Sequence, residues 1–145
     1  MAQDAGVTAR AALVAVVDAA KKWQADAVLT NISSLTVDSS GASPVWDYAF
    51  FSARSGKFAV VSAKDMKIKL LEVRTGLKNE VAANFMDSDK AMSEARKHGA
   101  KGSGPSMGLT NFGWAVNGGF SPGDVSVWVH ARTGAFLKKE VIPQY

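Results

Sequence analysis

The sequence predicts an α+β protein made of two α-β-β-β units, with an antiparallel sheet packed on the helices. Three observations predict it. Amphipathic helical stretches open both halves of the 145-residue chain. Each is followed by short runs rich in β-branched and aromatic residues with a period near two. A hairpin-like motif also recurs: Ala53-Arg-Ser-Gly-Lys-Phe58 returns as Ala131-Arg-Thr-Gly-Ala-Phe136, offset by 131 − 53 = 78 positions.

The first helix is predicted over Ala9 to Ala25. Leu13, Val16, Val17, Ala20, Trp23 and Ala27 recur at spacings of three and four and form one apolar stripe, with Thr8 placed as its N-cap. Strands are predicted at Val28–Val37, Val45–Phe51, Phe58–Val61 and Ile68–Val73. Asp38 to Pro44 and Arg54-Ser-Gly56 supply turn chemistry between them. The second helix opens at Asp87-Ser-Asp-Lys and closes at Arg96-Lys-His98. Its acidic start and basic end suit the helix dipole, and Gly99 suits a left-handed C-cap. Leu109–Val116, Asp124–Ala131 and Ala135–Ile142 complete the strands.

Sliding Asp87–Lys101 back by the same 78 positions places it on Ala9–Trp23, so the helices share the offset of the turns. The chain is therefore divided into a first unit, 1–80, and a second, 81–145. On this reading Gly56 and Gly134 occupy equivalent turns at positive φ, and Phe58 and Phe136 both point inward.

Composition narrows the function classes. Hydrophobic residues make up 47% and charged residues 21%, with mean hydropathy −0.01, a balance that belongs to a folded domain and not to a disordered chain. No apolar run reaches the ~18 residues of a membrane span; Ala11 to Val17 is broken at Asp18. The charge of 17 − 13 = +4 is spread along the sequence instead of forming a basic stripe. A nucleic-acid partner is accordingly not expected. Lys64, Lys67 and Lys69 read as guards of a sheet edge. Cysteine is absent, which removes disulfides and thiolate chemistry.

No catalytic or metal-ligating set emerges, and no cofactor is expected. His98 falls at a helix C-terminus and His130 in an alternating strand, facing opposite to Val127 and Val129, with no third imidazole for a zinc site. Gly102-x-Gly104-x-x-x-Gly108 follows a helix and lacks the Lys-Ser/Thr of a phosphate loop, so it reads as a connector. Asp87 and Asp89 are explained by capping, and Asp124 lacks the companion oxygens of a calcium loop. The remaining candidates are aromatic. Trp46, Tyr48 and Phe50 share one face of a strand, and Trp128 lies opposite Val127 and Val129. These four are the candidate ligand- or partner-binding residues, the alternative for the first three being plain core.

Val127-Trp-Val-His-Ala-Arg-Thr-Gly-Ala-Phe-Leu137, preceded by a helix and a strand, resembles the PepSY domain, with His130 where that family usually has an aspartate. Trp23-x-x-Asp26-Ala-x-Leu29 followed by Trp46-x-Tyr-x-Phe50 is similar to a more divergent copy. The resemblance implies a cystatin-like α+β fold, and a location in the periplasm or outside the cell after removal of a signal. It implies a binding or inhibitory role without catalysis. The expected partner is then a peptidase or another envelope protein, with a homodimer as a further arrangement. The alternative is a small-molecule-binding or isomerase-like protein using a cone-shaped cavity of the cystatin-like type.

Overall fold

The computed structural model describes residues 6–100, 106–118 and 122–143. Helix α1 spans Leu13–Trp23. Strands β1 (Val28–Ser34), β2 (Val45–Ser52), β3 (Lys57–Lys64) and β4 (Lys67–Val73) follow it. Helix α2 spans Ser88–Lys97. Strands β5 (Ser106–Thr110), β6 (Gly113–Asn117), β7 (Val125–Val129) and β8 (Phe136–Val141) follow that. All eight strands form one sheet in the order β4-β3-β2-β1-β5-β6-β7-β8, antiparallel throughout.

This corrects the expected fold. The chain is dominated by a single eight-stranded antiparallel sheet with two short helices, not by two α-β-β-β units. The physical cause is local. Leu109–Val116, expected as one strand, folds back at Asn111-Phe112, with Thr110 paired to Gly113. The extra hairpin gives the second helix four strands as well. It also frees β5 to pair with β1 across Ile32–Leu109, Ser33–Gly108 and Ser34–Met107, which joins the two halves of the sheet.

Counting strands likewise corrects the 78-residue correspondence. The Ala53–Phe58 turn links the second and third strands after α1, whereas Ala131–Phe136 links the third and fourth after α2. Gly56 and Gly134 do take positive φ, 70° and 75°, but the turns occupy different places in the strand order. The phenylalanines diverge too. Phe58 is half-buried against Phe51, with ring centroids 4.9 Å apart, while Phe136 is 45% exposed and stacks on His98 at 4.3 Å.

The strand period of two sorts the side chains cleanly. One row in register across the whole sheet reads Leu70, Val61, Tyr48, Ile32, Leu109, Trp114, Val129, Phe136. This face is covered: α1 lies against β3 and β4, and α2 against β6 and β7. The next row reads Lys69, Ser62, Asp47, Ser33, Gly108, Ala115, Trp128, Lys138. No described helix packs on that face. It is small and polar at its centre, with a lysine at each edge strand.

Helix α1 begins later than its stripe suggests, at Leu13. Thr8 does not cap it through its side chain; its carbonyl accepts from the Ala11 amide at 3.1 Å. The turn over residues 9–12 is held from the other half of the chain. Ser88 Oγ accepts from the Ala9 amide at 2.9 Å, and Asp87 Oδ1 accepts from the Arg10 amide at 3.0 Å. Asp87 also serves as the N-cap of α2, as its sequence position predicts. Gly99 follows α2 with φ 105°. Gly102 and Gly104 lie outside the described residues.

Candidate functional site

Three of the four aromatic candidates are core. Trp46, Tyr48 and Phe50 project from β2 onto the helix-covered face and are 1%, 0% and 2% exposed. Their polar atoms are consumed there. Trp46 Nε1 donates to the Val7 carbonyl at 2.8 Å, and the Tyr48 hydroxyl donates to the Ala9 carbonyl at 2.5 Å. Burial, with Asp87 and Asp47 nearby, pushes the Tyr48 phenol well above its usual range. It acts as a fixed hydrogen-bond donor. Phe50 also borders a cleft. Asp47 faces the opposite way and accepts from Ser62 Oγ at 2.6 Å.

Trp128 is set apart from these three. Alternation on β7 buries Val127 and Val129 and turns Trp128 onto the uncovered face. Lys138 Nζ lies 4.4 Å above its ring, a cation–π contact. Thr110, Phe112 and Leu137 stand beside them around a surface depression of about 410 Å³. Phe112 is 77% exposed and Leu137 47%. A phenylalanine presented at a hairpin tip beside a tryptophan makes a contiguous apolar patch, the kind of surface that marks an interaction site.

The tip is held rigidly. Thr110 Oγ1 accepts from the Phe112 amide at 3.2 Å. Gly113 takes φ 129°, and a Cβ there would run into the Val129 carbonyl oxygen. The turn therefore presses against β7, and Phe112 is pushed outward. Sequence reasoning missed Phe112 because an apolar residue in an alternating run resembles one more strand position. The available signal was Asn111 before it and Gly113 after it.

Phe112 also borders a second, larger cleft of about 530 Å³ at the same end of the sheet, lined by Glu80, Val81, Thr110, Asn111, His130 and Arg132 among others. His130 has a defined orientation there. Its Nδ1 accepts from the Arg132 amide at 3.1 Å and the Thr133 amide at 3.2 Å. A nitrogen that accepts carries no proton, so the neutral ring holds its hydrogen on Nε2. This histidine offers a donor, not a base. The Arg132 guanidinium is exposed.

Adjoining it, between α1 and the sheet end, lies an apolar pocket of about 190 Å³, lined by Leu13, Val17, Leu29, Phe50, Val81 and Phe85 among others. The two clefts share Glu80, Val81 and Ala83. The segment between them is pinned. The Val81 amide donates to the Leu29 carbonyl at 2.8 Å, Arg10 Nη1 donates to the Phe85 carbonyl at 2.8 Å, and its guanidinium stacks 4.4 Å from the Phe85 ring.

Among the described residues no group of three or more His, Asp or Glu side chains converges as a metal site would. No helix among them is long and apolar enough to cross a membrane.

No family model matches the chain, and no curated protein matches it. In structure it is similar to a candidate lipoprotein of Clostridium difficile 630, solved by crystallography. The TM-score is 0.65, with 16% sequence identity, and 95% of each chain is covered. At that identity the similarity establishes a shared fold over nearly the whole of both chains, and the fold is what the two proteins have in common.

Proposed function

We propose that this chain is a non-enzymatic binding or regulatory module that docks a protein partner on the uncovered face of its sheet, outside the cytoplasm. The observation that carries the reading is the patch of Trp128, Phe112 and Leu137, displayed on a face that no described helix covers. The patch has the ingredients of an interface centre, an aromatic anchor beside the Lys138 cation, which also pairs with Glu140 at 3.0 Å. The small residues Ser33, Gly108 and Ala115 beside it let a partner approach the sheet closely. The envelope location draws on the fold shared with a candidate lipoprotein. The PepSY-like motif at Val127–Leu137 adds a peptidase or another envelope protein as the kind of partner.

The test is capture by chemical cross-linking in an envelope fraction of the native host, with wild type and the double variant F112S/W128S side by side. The expected result is one partner enriched by wild type and lost in the variant, whose thermal unfolding midpoint stays close to that of wild type. Equal capture by the variant refutes the patch, and reproducible substrate turnover by purified protein refutes the non-enzymatic role.

A second reading, small-molecule binding, is favoured by the apolar pocket under α1. The rest of the covered face is filled by Trp46, Tyr48, Trp114 and their neighbours, so a small ligand would enter from the sheet end, beside Val81.

A further inference from the structure

We propose that the adjoining clefts at the sheet end form a binding site for an amphiphilic monocarboxylate that crosses their shared rim, its apolar body under α1 and its carboxylate at His130 and Arg132. This rests on the small-molecule reading above and names the ligand class. Two chemically opposite compartments have Glu80, Val81 and Ala83 in common as lining. One end offers Leu13, Val17, Leu29, Phe50 and Phe85 and has little polar lining. Lys21, at its rim, is exposed and donates to the Ala27 carbonyl at 2.7 Å, which turns its ammonium toward the chain after α1.

The other end offers donors. His130 Nδ1 is taken by two backbone amides, which leaves the Nε2 hydrogen as the ring's remaining hydrogen-bonding group. The Arg132 guanidinium has no acidic partner among the described residues. Its planar fork matches a carboxylate. Asn111 and Thr110 complete that wall. Glu80, at the junction, sets the charge limit: it disfavours a dianion such as a phosphate monoester and tolerates a single negative charge held away from it. The shared rim need not assemble on binding, since the hydrogen bonds of Val81, Phe85 and Met86 already fix the segment that lines both clefts.

Backbone amide shifts of the full chain, followed by NMR, test the proposal with four probes: octanoate, octanol, octyl phosphate and the tripeptide Ala-Ala-Leu as free acid. Octanoate is expected to shift the amides of Leu29, Val81, Ala83, Arg132 and Thr133 saturably. Octanol should bind about tenfold more weakly or worse, the scale of one lost hydrogen bond to a charged group, and octyl phosphate should also fall below octanoate.

R132Q should lose about tenfold for octanoate and leave octanol unchanged. H130N keeps an oxygen to accept the two turn amides, while its shorter side chain holds the amide donor short of the Nε2 position, and it should weaken octanoate in the same sense. A free acid and a peptide C-terminus share the recognised chemistry, and the tighter of octanoate and tripeptide identifies the source. Octanol binding as tightly as octanoate would sink the carboxylate assignment while leaving the small-molecule reading standing. Saturable shifts confined to Trp128 and Lys138, or none up to the solubility limit of every probe, would end both.

Discussion

Trp46 and Trp114 meet edge to face at the middle of the sheet, ring centroids 6.3 Å apart and planes inclined by 73°. Each also donates its indole N–H to a backbone carbonyl at the entry to a helical segment: Trp46 to Val7 and Trp114 to Met86, both at 2.8 Å. One pair of rings thus fills the centre of the core and ties the sheet to both helix entries. Replacing Trp114 by phenylalanine keeps most of the apolar volume but takes the indole donor from the part-buried Met86 carbonyl, at a cost of about 1–3 kcal/mol; W46F should cost less, because the Val7 carbonyl still accepts from the Ser43 amide at 2.8 Å. Alanine at either position adds a cavity and should cost roughly 3–5 kcal/mol. Urea unfolding monitored by far-UV circular dichroism checks both values, and Phe variants as stable as wild type would show the indole bonds to be dispensable.

Ser88 joins three segments remote in sequence. Its hydroxyl is fully buried, accepts from the Ala9 amide at 2.9 Å and donates to the Gly41 carbonyl at 2.6 Å. Replacement by alanine removes little volume and leaves both backbone groups without their partner. The expected loss is about 1–3 kcal/mol, and amide exchange at Ala9 should speed up more than exchange on β6. Threonine keeps the hydroxyl but adds a methyl to a closed site, so S88T tests whether packing or hydrogen bonding governs.

These contacts show why the sequence was legible in part. The alternation on β2 and β7 placed Trp46, Tyr48 and Phe50 together and Trp128 opposite Val127 and Val129, because strand parity depends only on neighbours in sequence. Of the three lysines read as edge guards, Lys67 and Lys69 do lie on an edge strand, β4, whereas Lys64 ends the inner strand β3. What escaped was non-local. The turn that leads into α1 is held by Asp87 and Ser88, 77 and 79 positions away, so local capping chemistry pointed to Thr8. Whether three aromatic residues are core or interface depends on what covers them, and the cover over Trp46 and Tyr48 includes Val7 and Ala9, again remote. The strand count failed for a further reason. Phe112 occupies a turn whose preference is imposed by Gly113 and by the approach of β7, not by its own side chain.

Gly113 and Gly56 separate two uses of glycine. Gly56 turns at φ 70° with open space around its Cα, so G56A should cost only the left-handed strain of about 1–2 kcal/mol. At Gly113, with φ 129°, an added Cβ meets the Val129 carbonyl oxygen, backbone that cannot move aside without breaking the β6–β7 pairing. G113A should therefore cost clearly more than G56A and shift the amides of β7. Equal unfolding midpoints for the two variants would show that the hairpin tip is free to lift off β7.

The last prediction concerns acid. Asp26 follows α1 and anchors the β2–β3 turn: Oδ1 accepts from the Ser52 hydroxyl at 2.7 Å and Oδ2 from the Arg54 amide at 2.9 Å. The Ser52 bond first, then the Arg54 amide, hold its carboxyl below the ordinary value of 3.8. Asp38 is lowered as well. Burial works against it, but the hydroxyl of Ser40 and the amides of Ala42, Ser40 and Gly41 outweigh that penalty. A carboxylate whose folded pKa is depressed stabilises the fold above its unfolded pKa and loses that contribution as pH falls through the folded value. Both groups therefore contribute fully at neutral pH and lose their contribution only below about 3.8, the upper limit set by the ordinary carboxylate. D26N keeps the shape and an accepting oxygen but removes the charge. It should lower the urea midpoint at neutral pH, and its difference from wild type should shrink steadily as the solution is acidified below that limit. A difference that stays constant down to strong acid would show that the turn is held by shape and neutral hydrogen bonds, with the charge of Asp26 contributing nothing.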